Sequence, residues 1–217
     1  RRTTPSTCSC SGPDAVSSGE RAVDRARVEW AFGVSEMPGP HGFERISEYI
    51  RSPDGLGWGW WKGPDGKGYD RNRCFEWCGA FAARCWSDET SLSIRREHFA
   101  STYRLAEWGR GGGAAAYQVV EIGKPLLWLP QPGDIAVIER GDGGKWWADH
   151  ITVIESFTVA GGVFATIEGN ATGAGPLNAR FEGVVKRHRY LPGRAPEGRK
   201  DFVRFLIRPM SADEVVA

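Results

Sequence analysis

No apolar run in the 217 residues approaches the roughly 18 needed for a membrane-spanning helix, so no membrane span is expected. No secretory leader is visible. Charge of one sign is also lacking: 28 Lys and Arg against 27 Asp and Glu leave +1, which gives no reason to expect nucleic acid or an anionic membrane as partner. Cysteine is sparse and odd in number, with Cys8, Cys10, Cys74, Cys78 and Cys85, so at least one thiol stays free if the others pair within the chain. Cys78 and Cys85 lie seven apart in a helical pattern. That places them about 10.5 Å apart, too far for a disulfide. Repeats are absent, and one core is expected.

What is present divides into two halves. Residues 1–18, rich in Ser, Thr, Pro and Gly and without aromatics, read as a linker to an upstream region. Residues 19–217 read as one domain. Glu20 to Val34 places Val23, Ala26, Arg27, Trp30 and Val34 near one helical face, with Ser18 or Gly19 as candidate cap. "FERISEYI" continues as a short helix through Ile50. A Gly-, Pro- and Trp-rich loop follows, then the helical runs "CGAFAARCW" and "HFASTYRLAEWG", the last stopping at Gly109. From there the period changes to two. "YQVVEI", "DIAVIER", "HITVIESFTV", "GVFATIEGN", "FEGVVKRHRY" and "DFVRFLIR" read as strands. Helices first and strands second predict an α+β domain with an antiparallel sheet of five or six strands.

Within "FEWCGAFAARCW", Cys78 stands where the helix begins. A core cysteine is ordinary, but the positive end of a helix dipole favours a thiolate. A cysteine nucleophile needs a base, usually histidine, and a group to hold the imidazole. Of the four histidines, His41 lies in a Pro/Gly turn, His98 in a polar segment and His188 in the basic run "KRHR"; all three read as surface residues. His150 opens a strand just after a loop, where a rigid scaffold can present it. Glu168 and Asn170, two apart in the next strand, share a face. A three-residue hairpin loop, Val159–Gly161, with Gly161 left-handed, puts His150 opposite Asn170 and Glu168 one diagonal away. A two-residue loop would turn both away.

Trp77, beside the candidate nucleophile, and Trp147, just before His150, are candidate substrate contacts. The Trp58, Trp60 and Trp61 cluster reads as core filling beneath a loop, although indoles also stack on sugars. Asp134 is expected to start a strand through a turn hydrogen bond. Cys74, Cys78 and His150 together are a weak zinc set, with no fourth ligand at a typical spacing; no metal or cofactor is expected.

"WCGAF" at a helix start, then "PQPGDIAVI", "DHITVIES" and "IEGN", in that order, resemble the CHAP family of cysteine- and histidine-dependent amidohydrolases and peptidases, relatives of the papain-like and NlpC/P60 folds. A CHAP-like bacterial group with "WCAAF" at that point is similar also in its N-terminal helix, a "GVSE-PG" segment (Gly33 to Gly39 here), "I-EYI" and "LAEWG". The resemblance runs from about Glu20 to Tyr190. It implies Cys78 as nucleophile, His150 as base, Glu168 as orienting acid and Asn170 as polar support near the imidazole. Gly79 replaces that group's alanine, a change expected to be harmless and to ease close backbone approach. The resemblance implies hydrolysis of amides in bacterial peptidoglycan, at the sugar–alanine bond or within the peptide stem, by a protein secreted or delivered to the wall. Two other functions fit the same residues: a cysteine protease or transglutaminase-like acyl transferase acting on proteins, and a non-catalytic wall-binding module.

Overall fold

The structure is a computed structural model; it describes residues 16–35, 40–50, 77–87, 99, 102–140, 148–174, 180–198 and 201–210. Four helices among them are α1 (Ser18–Ala31), α2 (Phe43–Ile50), α3 (Cys78–Trp86) and α4 (Thr102–Trp108). None is long and apolar enough to cross a membrane. Six strands follow: β1 (Ala114–Val119), β2 (Ile135–Arg140), β3 (Ala148–Thr158), β4 (Val163–Ala174), β5 (Arg180–Tyr190) and β6 (Asp201–Pro209). They form one antiparallel sheet in the order β1-β6-β2-β3-β4-β5. The α+β class expected from the change of period is therefore present.

The cap of α1 is Ser17 rather than Ser18 or Gly19. Its hydroxyl accepts from the Glu20 N–H, and the Glu20 carboxylate accepts from the Ser17 N–H at 2.8 Å, a reciprocal capping box. Helix α1 thus reaches into the segment read as linker, since Ser17 and Ser18 belong to the helix start. Ala22, Val23 and Ala26 are buried as the helical period requires, and so is Glu29. Glu29 accepts from the Tyr49 hydroxyl at 2.5 Å and from the Arg45 guanidinium, tying α1 to α2 through a buried polar joint. Arg27, by contrast, is half exposed and reaches across to Glu155 of β3.

Alternation along the central strands separates two apolar layers. Ile135, Val137, Ile151, Val153 and Ile167 pack beneath the helices with Trp77, Phe81 and Trp86. Ala136, Ile138, Ile154, Phe164, Val203 and Leu206 form the opposite layer, covered by Leu126, Trp128 and Leu191. Asp134 accepts from the Gln131 N–H at 2.7 Å in the turn before β2, as its position in "PGDIAV" suggests, and also from Arg208. The sheet curls enough that Arg189 of β5 bonds Asp201 at the start of β6, although β2, β3 and β4 lie between those strands.

Candidate active site

The first turn of α3 is seated on β3 and β4. A Cβ on Gly169 would stand 2.6 Å from both Phe81 Cβ and Trp77 Cζ3, so β4 can pass beneath the helix only as glycine at that point. A Cβ on Gly79 would stand 3.2 Å from Ile151 Cδ1, the residue after His150. These close approaches bring the start of α3 to the stretch of sheet that carries His150 and Glu168. Trp77, the residue before the helix, offers no side-chain cap, and the first turn carries no acid. The opening amides of α3 therefore have no built-in anion, while the Trp77 carbonyl already accepts from the Phe81 N–H.

Strands β3 and β4 fix the other two groups. Near the site Val153 pairs with Ile167 and Ile154 with Thr166, the register expected. The route to it differs. The hairpin loop has four residues, Val159–Gly162, with Gly162 rather than Gly161 left-handed at φ 60°. A bulge between Ile154 and Ser156 then restores the parity that the longer loop would have reversed. His150 and Glu168 consequently meet, with Nε2 of the imidazole 3.1 Å from Glu168 Oε2 and both side chains almost wholly buried.

Glu168 is held by more than the histidine. Arg189 donates from Nε to Oε1 at 2.7 Å and from Nη2 to Oε2 at 2.5 Å, a forked pair, and its Nη1 bonds Asp201. The Thr166 hydroxyl is 2.6 Å from Oε1 and 3.3 Å from the Arg187 carbonyl, so its single proton goes to the nearer, charged acceptor. Burial alone would push the Glu168 carboxyl up. The Arg189 charge, followed by the hydrogen bonds from His150 and Arg189, outweighs it and holds the group well below the usual carboxylate range. Removing one partner from a buried pair of this kind costs about 3–5 kcal/mol.

An ionised carboxylate can only accept, so the proton shared with Glu168 belongs to Nε2 of His150. That leaves Nδ1 as the ring nitrogen available to Cys78. Burial pulls the imidazole's affinity for its proton down. The charge and hydrogen bond of the Cys78 sulfur, then the hydrogen bond and charge of Glu168, more than reverse this, and the pKa rises to about 9. The Cys78 sulfur therefore lies near enough to act on the imidazole, and the imidazole is bonded to the carboxylate. Cys78 is 5 % exposed.

The remaining candidates fare differently. Asn170 is half buried, sits in left-handed backbone at φ 55° where the β4–β5 register shifts, and makes no hydrogen bond with the imidazole. The expectation that it follows Glu168 on a regular strand face and supports the ring is corrected by that break. Trp77 is fully buried against Tyr49 and β4, so its indole is a core group and presents no face to a substrate. Trp147 lies outside the described residues, as do Trp146, His98, Cys8, Cys10, Cys74 and the Trp58–Trp61 cluster. His41 and His188 are exposed. Cys85 is free and fully buried, and that burial pushes its thiol up. Among the described residues, no three His, Cys, Asp or Glu side chains gather as a metal site.

Sequence reasoning missed Arg189. "KRHR" reads as a solvated basic run, yet in β5 the exposed residue is His188 while Arg189 is 2 % exposed. The signal was the period of two: Val185, Arg187 and Arg189 share the face that meets Glu168, Thr166 and Phe164 across the ladder. No protein-family model, no curated protein and no solved structure matches this chain.

Proposed function

We propose that the protein is a cysteine amidohydrolase of the papain-like, CHAP type that cleaves amide bonds in bacterial peptidoglycan. The observation that carries the hydrolytic part is the His150 ring bonded through Nε2 to a buried anion while its pKa is raised by the Cys78 sulfur. A packing cysteine has no use for a buried histidine and a buried ion pair, both of which cost desolvation. The wall substrate rests on the ordered motifs "WCGAF", "PQPGDIAVI", "DHITVIES" and "IEGN".

In this reading His150 takes the Cys78 proton, and the thiolate attacks the amide carbon. The oxyanion forms at the mouth of α3, where the backbone N–H of Cys78 donates to it and the helix dipole favours the charge. The imidazolium then protonates the leaving amine, which departs. Water, activated by the now neutral imidazole, attacks the thioester, and Cys78 is released as the thiol or thiolate. Glu168 takes no proton in the cycle; it fixes the ring and offsets the imidazolium charge.

Digestion of purified peptidoglycan, with the released fragments weighed, tests the proposal. New termini at the sugar–alanine amide or within the stem peptide are expected. Cys78→Ala should lower the rate by about three orders of magnitude or more. Near-native digestion by that variant would overturn the mechanism. An inert wild-type protein on peptidoglycan that still cleaves a protein substrate would keep the mechanism and replace the substrate.

A further inference from the structure

All four acceptor positions of Glu168 are taken. Oε1 receives Thr166 Oγ1 and Arg189 Nε, and Oε2 receives Arg189 Nη2 and His150 Nε2. A carboxylate accepts about four hydrogen bonds, so the group has no room for a proton and no freedom to turn. The two Arg189 bonds run from separate nitrogens of one guanidinium to separate oxygens of the carboxylate, a fork that a lysine ammonium cannot reproduce. Asp201 sits behind the guanidinium on the third nitrogen and balances its charge, with Arg189 itself 2 % exposed.

We infer that Arg189 is a positioning residue: its fork fixes Glu168 as an oriented anion and thereby selects the His150 tautomer that leaves Nδ1 free for Cys78. This rests on the reading of Cys78 and His150 as nucleophile and base. Arg189 touches neither group and acts only through Glu168. Without the guanidinium the buried carboxyl loses two of its four donors and its strongest cation, keeps only the imidazole, and is drawn towards its protonated form. A protonated Glu168 donates as readily as it accepts, and the choice of ring nitrogen is lost. With lysine the charge remains but the orientation does not.

The test compares the wild-type chain with Arg189→Lys, Arg189→Gln and Asp201→Asn, each first checked for folding by near-ultraviolet circular dichroism. The readouts are the rate of iodoacetamide alkylation, located to Cys78 by peptide fragmentation, and the 15N shifts of the His150 ring. Both Arg189 variants should alkylate at least about tenfold more slowly near neutral pH, because without an oriented anion behind it the ring holds the Cys78 proton less well. Their neutral His150 should show mixed tautomers. Asp201→Asn, which leaves both bonds to Glu168 intact, should stay within about threefold. Folded Arg189→Gln protein with the wild-type alkylation rate and a single Nε2–H tautomer would overturn the inference. Should neither Arg189 variant fold, the ring of the otherwise unchanged Cys78→Ala protein decides: a proton on Nδ1 in its neutral form overturns the inference. A wild-type protein inert on peptidoglycan, with the Arg189 effect on alkylation intact, defeats the wall substrate and leaves this inference standing.

Discussion

Gly79→Ala sets two effects of opposite sign against each other. Alanine in place of glycine raises helix propensity by about 0.8–1.0 kcal/mol in a helix interior, and less in a first turn. Gly79 is the second residue of α3, so that range is its ceiling. Against it stands a Cβ only 1.8 Å from the Phe99 carbonyl oxygen and 2.9 Å from the carbonyl carbon. The nearest atoms are backbone, so no side-chain rotation relieves the contact, and the helix start or the Phe99 segment must move by more than about 1 Å. Overpacking of a filled interior typically costs about 1–3 kcal/mol, and a backbone obstruction belongs at the upper end. The net is a loss of about 2 kcal/mol, or a fall in Tm of about 4–8 °C for a chain of this size. The same displacement carries Cys78 away from His150, and misplacing a reacting group by about 1 Å can cost about a hundredfold in rate. Thermal unfolding followed by circular dichroism, together with Cys78 alkylation, reads both effects. A variant of equal or greater stability that alkylates normally would refute the seating of α3.

Two further outcomes follow from the same contacts. Because the Cys78 sulfur is the largest of the influences raising His150, Cys78→Ala should lower the imidazole pKa from about 9, read by NMR titration; an unchanged value would separate the two groups. The raised folded value also sets a sign: stability from this histidine is complete below about 6.5, its unfolded value, and is lost as pH rises towards about 9, so a wild-type urea midpoint that climbs across that window faster than in Cys78→Ala would contradict it. Ser17→Ala removes one half of the α1 capping box and should cost about 1 kcal/mol, roughly 2–4 °C in Tm, with Cys78 alkylation unchanged.

The apolar runs and the turn residues between them sufficed to place α2 and five of the strands, while β1 runs Ala114–Val119 and overlaps the expected Tyr117–Ile122 only at its end. The period of two also sufficed to pair His150 with Glu168, but for a reason the hairpin alone does not contain. Loop length sets parity at the turn, whereas the bulge at Glu155 resets it before the site. A bulge has no fixed residue signature, and here it is coupled to Glu155 bonding Arg27 and Lys186, contacts made across the fold. Asn170 shows the opposite outcome: period two predicts its face only while the backbone stays extended, and φ of 55° ends that two residues after Glu168.

Burial of charge was the least legible feature, for a physical reason. Glu29, Glu168 and Arg189 each look solvated when considered singly, since an isolated ion is too costly to bury. Their burial becomes affordable only as pairs, Glu29 with Arg45 and Glu168 with Arg189, and the partners lie 16 and 21 residues apart. Strand register is what reveals the second pair: once Glu168 stands opposite Val185, residues of odd number in β5 face the same side, and an arginine among them must find an acid there or remain unpaired. The basic run "KRHR" then divides by parity into Lys186 and His188 on one side and Arg187 and Arg189 on the other. A buried acid in a candidate site is therefore itself a prediction that a cation lies on the same face of the neighbouring strand, and the side chain that answers it belongs to the site even when it never meets the substrate.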